Sequence, residues 1–571
     1  MVAVDMLITN AQVFNHVTRD FRRINVTVKA GKFYWLTQDT STIQAKTTLD
    51  LAGKFLIPGL IDSHMHIESS MTTPTAFGQA AAQYGTTTVI ADAHEIANVA
   101  GLQGLEDFMA QPSLIDTFYA IPSSVPSTTP ELETTGGVIG VAETQTLLKD
   151  PRVIALGEAM NFHGLTEEPD SLINQIIAAC RQARPTMPLE GHCPKYTGLD
   201  LAKFIYSGIT SDHTQQTPAS LVEKIENGMF IQLQRKSLSE AVVDAVQTKA
   251  LFEHVALVTD DVMPDDLLHG HLDAIVRLAI KLGLDPKLAI YMATYTPARR
   301  MGLWDRGLIA PGRVADFVVL DDLQSFAIDA VYKAGQRVTV DAATPVTTHF
   351  PAALRHTVAA VPLKAADLAL KVPQADGTVV ANVIAIAPVG TFTALEKVTL
   401  AVKDHHVQWQ AAGLSLAVVQ ERYGQGGHLI LALAKNTLTG QGAVGATWAH
   451  DHHNILVLGT NIADMVIAQN RLVEEQGGYV VAAGGQLVAD APLPIGGVVS
   501  DAPIAELGQQ IQNVRAQMQA LGYVNTNEIM SFSTLSLLVS PALKLSDKGM
   551  FDVKSQKQVP LFEPQSGAKR V

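Results

Sequence analysis

The stretch Pro58-Gly59-Leu60-Ile61-Asp62-Ser63-His64-Met65-His66 follows an apolar run, Phe55-Leu56-Ile57, and sets two imidazoles two residues apart. Along a strand, residues i and i+2 share a face, so His64 and His66 project together while Met65 turns away. Two imidazoles on one face, with Asp62 close behind, form half of a metal site. Further polar residues stand at the ends of later short apolar runs: Asp92, His94 and Glu95; Glu158; His192; His213; and Asp260 with Asp261. One polar residue at a strand end is most often merely solvated. The whole set, following a His-x-His, is the ligand inventory of a dinuclear hydrolytic metal site.

The chemistry suggests the roles. His64 and His66 hold one ion, and His192 and His213 hold the other. Glu158 bridges, because one carboxylate offers an oxygen to each ion. Asp260 binds metal and takes the proton from a water. Two divalent ions outweigh the charge of two carboxylates and a hydroxide, so the site stays net positive and lowers the water's pKa towards neutrality. This ligand set suits Mn, Fe or Zn about equally.

These residues need a scaffold that brings strand ends together. Short apolar runs at 87–91, 153–157, 189–192, 209–213, 229–233 and 255–260 alternate with stretches of helical spacing. Repeated β–α units in about 250 residues predict a (β/α)8 barrel over 56–305, with the site at the C-terminal ends of its strands. Leu272, Ile275, Val276, Ala279 and Ile280 form one helical stripe, and Asp285-Pro286 supplies a cap and a first-turn proline for the next helix.

Residues 1–55 read as β, with strands over 5–14, 24–29 and 32–36, and 306–345 return to β character. Together they predict one small sheet flanking the barrel. A Pro- and Ala-rich linker spans about 343–362, and 363–571 forms a C-terminal α/β domain, so the class is α/β throughout.

The 571 residues are too many for one core. A formal charge of -14 argues against a nucleic-acid partner and gives no support for an anionic membrane surface. Cys180 and Cys193 are the only cysteines, which fits a reducing compartment. With no signal-peptide pattern and no apolar run of transmembrane length, a cytoplasmic protein is expected. A homo-oligomer, a dimer, is the expected assembly.

The His-x-His stretch, with Pro311-Gly312-Arg313-Val314-Ala315-Asp316 closing the flanking β region, resembles the amidohydrolase superfamily. More specifically, the chain resembles the bacterial adenine deaminases. The matching words are His66-Ile67-Glu68-Ser69-Ser70-Met71, the stretch from Gly85 to Asn98, Gly157-Glu158-Ala159-Met160-Asn161-Phe162 and Thr259-Asp260-Asp261. Ala449-His450-Asp451-His452-His453-Asn454 and Pro541-Ala542-Leu543-Lys544-Leu545-Ser546-Asp547 extend the likeness to nearly the whole chain.

The resemblance implies hydrolysis of adenine to hypoxanthine and ammonia. Asp260 would act as base, and Glu95 or His94 as the acid for the ring nitrogen. Asp261, Phe162, Glu68 and Ser237 would contact the nucleobase. A cyclic amide hydrolase of the dihydroorotase or hydantoinase kind is the alternative, but many of those bridge their ions with a carboxylated lysine on the fourth strand, where this chain has Glu158. A non-catalytic relative is disfavoured by the complete ligand set.

Two departures from the family pattern bear on substrate. Gln234-Arg235-Lys236-Ser237 stands where Arg-Glu-Gly-Ser is usual, and Thr214 stands where Glu is usual. They predict a reduced or shifted preference for adenine.

Other residues carry less weight. His269 and His271 read as capping or surface residues, and His163 as a loop residue equally suited to lining the pocket or to solvent; His450, Asp451, His452 and His453 have the types of a second metal site but read rather as a structural or substrate-covering cluster. Gly424-Gln425-Gly426-Gly427 lacks the Lys-Ser/Thr of a phosphate loop.

Overall fold

The computed structural model describes residues 1–340 and 343–564. Positions 341–342 of the expected flanking region and 565–571 of the expected C-terminal domain lie outside the described residues.

Eight parallel strands form the barrel. Five pair in chain order: Leu60–Met65, Thr86–Asp92, Asp116–Ile121, Val153–Ala159 and Leu189–Gly191. Three more follow: Ser211–Asp212, Phe230–Leu233 and Val255–Leu257. The Thr210 amide donates to the Leu189 carbonyl (3.1 Å), joining the two groups. The Asp260 amide donates to the His64 carbonyl (3.2 Å), closing the eighth strand on the first. The strand Asp116–Ile121 was not among the expected runs. Its first three residues, Asp116, Thr117 and Phe118, are only partly buried, so the apolar signal is weak there.

The helices obey their local signals. Leu272–Lys281 buries the expected stripe. The Asp285 carboxylate accepts from the Lys287 amide, and Pro286 takes the first turn of the next helix.

The flanking region differs from expectation. It contains two sheets rather than one. The stretch 5–14 is not one strand: Val2–Thr9 and Gln12–Asn15 are separated at Asn10, whose φ of 55° turns the chain. The first segment joins Asn25–Lys29, Lys32–Thr37 and Ile43–Asp50. The second joins Asp20–Arg23, Phe55–Pro58 and the post-barrel strands Phe317–Asp322, Ala327–Lys333 and Gln336–Arg337. Phe55–Pro58 pairs antiparallel with Phe317–Asp322, so the segment that feeds the His-x-His strand is anchored outside the barrel.

A nine-stranded sheet between Gly377 and Pro492 dominates the C-terminal part, with helices Ile462–Glu474 and Ile504–Ala520 packed on it. Its apolar core is continuous with that of the barrel. Trp448 Nε1 donates to the Glu68 carbonyl (3.2 Å), and Arg515 pairs with Asp265 (2.7 Å). The Gly424–Gly427 loop wraps Glu421, whose carboxylate accepts from the amides of Gln425 (3.0 Å) and Gly427 (2.8 Å). An anion from the chain itself thus fills that loop. No helix among the described residues is long and apolar enough to cross a membrane.

Asp212 and Lys224 show how the barrel carries buried charge. The Lys224 ammonium lies 2.6 Å from the Asp212 carboxylate, and both side chains are buried. Burial alone would raise the Asp212 pKa, but Lys224 and the imidazole of His213 hold it low. Asp212 also accepts from the amides of Cys193 (2.9 Å) and Thr214 (3.0 Å), pinning the segments that carry His192 and His213. Removing one partner of such a pair strands the other charge, at a cost of about 3–5 kcal/mol. Lys224→Met is therefore expected to lower the thermal unfolding midpoint by several degrees, read by circular dichroism. An unchanged midpoint would mean that Asp212 is neutral in the folded chain.

Candidate active site

The ends of the first, fourth, fifth, sixth and eighth barrel strands converge on one buried polar cluster. His66 follows the first strand, and its Nδ1 donates to the Asp92 carbonyl (2.8 Å), leaving Nε2 free as a ligand. His66 Nε2 lies 3.5 Å from Glu158 Oε1 and 3.5 Å from Asp260 Oδ1. His64 Nε2 lies 3.7 Å from the same Asp260 oxygen and has no hydrogen-bond partner although buried. On the other side, Glu158 Oε2 lies 2.9 Å from His192 Nδ1 and 3.0 Å from His213 Nε2. The rings of His64 and His213 stack at 3.9 Å.

The two oxygens of Glu158 thus face different histidines, one His66 and the other the His192–His213 pair. All six expected ligands come together. His64, Glu158 and His213 form one group able to hold an ion, and His64, His66 and Asp260 form another. Nitrogen–oxygen spacings of 3.5–3.7 Å exceed those of charge-assisted hydrogen bonds and suit donors arranged around an ion. The residues therefore fit divalent metal.

The electrostatics follow from burial. Burial alone would raise the Glu158 pKa, but His213 and His192 hold it well below the usual carboxylate range. Burial likewise opposes ionisation of Asp260, and His64 and His66 overcome it. Burial would depress His213, yet Glu158 lifts it to about 9. Burial depresses His64, and the neighbouring His213 adds to this.

Carboxylates behind the cluster fix its backbone. Asp62 accepts from the amides of His64 (3.3 Å) and Thr259 (3.2 Å) and from the Thr259 hydroxyl (2.6 Å). Asp92 accepts from the Glu158 amide (2.8 Å) across Gly157, where a Cβ would lie 2.3 Å from an Asp92 oxygen. Asp260 sits at φ 62°, a left-handed conformation held by its bond to His64.

His94 and Glu95 stand beside this cluster, with His94 Nε2 3.3 Å from Glu95 Oε2. Both also face the C-terminal part of the chain. His450 Nδ1 lies 3.4 Å from Glu95 Oε1, and Asp451 Oδ1 lies 4.0 Å from His94 Nε2. Nothing in the spacing of His450 and Asp451 signals this approach, because it depends on how the C-terminal sheet docks.

Glu68 is fully buried: one oxygen accepts from the Ile96 amide (3.3 Å) and the other has no partner. Asp261 accepts from the Ser69 hydroxyl (2.6 Å). Phe162 packs on Tyr196, with ring centroids 4.4 Å apart. Ser237 accepts from the Gln216 amide (3.0 Å) and donates to the Thr214 carbonyl (3.2 Å), so it braces the loop after His213.

His163 is exposed and pairs with Glu168 (3.2 Å). His271 does stand at a helix start, but it is buried under the site rather than on the surface: Thr86 Oγ1 lies 2.9 Å from its Nδ1 and Asp62 lies 3.7 Å from its Nε2. The departures from the family pattern separate clearly. Gln234 Nε2 donates to Asp260 Oδ2 (2.5 Å) and to the His213 carbonyl (3.2 Å). Arg235 is exposed, and Thr214 Oγ1 is spent on Asp212 (2.9 Å).

Residues 55–338 match the model of the amidohydrolase family, and residues 390–557 match that of the adenine deaminase C-terminal domain. An adenine deaminase of Lactobacillus delbrueckii subsp. bulgaricus is 58% identical over 99% of this chain and 100% of its own. Adenine deaminase 2 of Oenococcus oeni is 54% identical over 98% and 99%, and an adenine deaminase of Clostridium perfringens is 45% identical over 98% and 100%. The fold and the histidine–carboxylate site are those of a metal-dependent amidohydrolase. Within that class, the chain belongs to the adenine deaminase family.

Because Gln234 hydrogen-bonds the site carboxylate Asp260, Gln234→Leu is expected to lower kcat for adenine by roughly tenfold, the scale of a lost hydrogen bond to a charged group. Arg235→Glu is expected to leave kcat/KM within about twofold, since exposed charges interact weakly. Steady-state ammonia release checks both, and a large loss in Arg235→Glu would place that side chain at the pocket after all.

Proposed function

We propose that this protein is an adenine deaminase, converting adenine and water to hypoxanthine and ammonia, with two divalent ions (Mn, Fe or Zn) at the barrel mouth. The carrying observation is Glu158, with one oxygen facing His66 and the other facing His192 and His213, in a chain that follows adenine deaminases over its full length.

Bound ions would acidify a water and supply the nucleophile at neutral pH. The residues do the rest. Asp260, held by Gln234, accepts the water's proton as oxygen attacks C6, and passes it to the amine. The ring nitrogen beside C6 must gain a proton as C6 becomes tetrahedral. We assign that acid to Glu68 in place of Glu95 or His94. Burial raises the Glu95 pKa, but two imidazole nitrogens, at 3.3 and 3.4 Å, oppose that rise. Glu68 has no comparable partner, and burial together with the charge of Glu95 pushes its pKa up to about 8. The C6–N bond then breaks, ammonia leaves, and the second water proton restores Glu68 as the C6 carbonyl forms. Asp261, buttressed by Ser69, accepts from the base, and Met160 and Phe162 supply apolar wall.

Purified, Mn-loaded protein incubated with purines, pyrimidines and cyclic amides tests the reading. Ammonia from adenine is the expected outcome, and turnover of a cyclic amide in its place would overturn it. Asp260→Asn should retain the fold and lose about 10²-fold or more in kcat, the scale of a general base; near-normal turnover would move the base elsewhere. Glu68 donates only while protonated, so the rate should fall as pH rises through about 8. Glu68→Gln should abolish that limb along with most of the activity.

A further inference from the structure

The short turn Ile67–Ser70, directly after His66, carries two side chains that the proposed reaction uses. Glu68 is the assigned acid. The Ser69 hydroxyl donates to Asp261 (2.6 Å), which accepts from the base. A single 3-10 turn of four residues is held weakly by its own hydrogen bonds. Here the Met71 amide donates to the Glu68 carbonyl (2.8 Å) and the Ser70 hydroxyl to the Ile67 carbonyl (2.6 Å). Met71, at φ 50°, then ends the turn.

The other anchors of this turn come from the C-terminal domain. Trp448 lies just beyond the strand Ala443–Ala446, and its Nε1 donates to the same Glu68 carbonyl (3.2 Å), across 380 positions of sequence. Past the end of the turn, the Ser500 amide donates to the Met71 carbonyl (2.8 Å), and Thr72 pairs with Ser500 as a parallel bridge. These two anchors form one unit, because the Thr447 hydroxyl donates to the Gly497 carbonyl (2.6 Å). Trp448 is fully buried and packs edge-on against His450, with ring centroids 4.4 Å apart, so its N–H is fixed in direction.

The Glu68 side chain has little else to locate it. One carboxyl oxygen accepts from the Ile96 amide at 3.3 Å, and the other, buried and without a partner, is the one left for a ligand. Where that oxygen stands therefore depends on where the backbone of the turn is held. A displacement of about 1 Å in a reacting group can cost about 10²-fold in rate.

We propose that Trp448 is a positioning residue for the deamination: its indole N–H, through the Glu68 carbonyl, fixes the turn that presents Glu68 and Ser69 to the purine. The C-terminal domain thus completes the active site of the barrel. This inference rests on the reading of Glu68 as the acid. The Met71 amide stays on the same carbonyl when the indole N–H is lost, so the carbonyl is not stranded and the fold should survive.

The test uses the full chain, loaded with Mn, and single-turnover ammonia release with enzyme in excess over adenine. Trp448→Phe keeps an aromatic ring and removes the N–H. It should lower the maximal rate about tenfold, with the half-saturating concentration changed less than about threefold. In a Glu68→Gln background the same change should cost less than about twofold, because residues that act through one another are not additive. An equal loss in both backgrounds would make Trp448 a packing residue only, and an unchanged rate in Trp448→Phe would equally overturn the inference. Near-normal turnover by Glu68→Gln alone would instead overturn the acid assignment. Where Trp448→Phe fails to fold, the unaltered protein decides, loaded with Zn and 15N-labelled at its four indoles. Saturating hypoxanthine should shift one indole signal, and four unmoved signals would overturn the inference.

Discussion

One buried carboxylate organises the barrel mouth. Glu158 must lie between two histidine groups, with an oxygen facing each, at the end of a strand packed on both faces. A lone carboxylate there would protonate, and then it could not attract metal. His213 and His192 hold it ionised, and in return it lifts His213. The ligand set is therefore electrostatically interdependent, so each member's protonation state depends on the others being in place.

Such a set demands positional accuracy, and three further carboxylates provide it. Each accepts backbone amide hydrogens from a neighbouring ligand-bearing segment: Asp62 from His64 and Thr259, Asp92 from Glu158, and Asp212 from Cys193 and Thr214. Side chains can hop between rotamers, but a backbone amide tied to a buried carboxylate cannot drift without leaving a buried charge unpaired. A Cβ at residue 157 would collide with the Asp92 carboxylate and displace it from the Glu158 amide, so glycine there keeps that bond.

What the sequence revealed follows from the range of the forces involved. That His64, His66, Glu158, His192, His213 and Asp260 would meet was legible because they stand at the ends of five strands, and strand ends of a barrel meet at one place by geometry alone. The strand Asp116–Ile121 escaped notice because its outer half is only partly buried, so its apolar pattern is weak. Asn10 broke an apparently continuous strand because one left-handed residue costs little and leaves no hydrophobic trace. The approach of His450 and Asp451 to Glu95 was illegible for a different reason: it is set by the docking of two surfaces more than 350 positions apart, which no local pattern encodes.

The departures from the family pattern show how a charge can move without being lost. In the usual Arg-Glu-Gly-Ser a cation occupies the place of Gln234; here a neutral amide occupies it and donates to Asp260. Two residues on, Lys236 brings an ammonium to 4.0 Å of the same carboxylate, and it helps to hold the Asp260 pKa low. The cation has therefore shifted outward, to a side chain that is 52% exposed. Solvent screens a charge there, so its pull on Asp260 is modest. The family's glutamate has no counterpart at 235 that could compensate, because Arg235 points to solvent. Gln234 and Lys236 thus both bear on Asp260, while Arg235 faces solvent and Thr214 is held by Asp212.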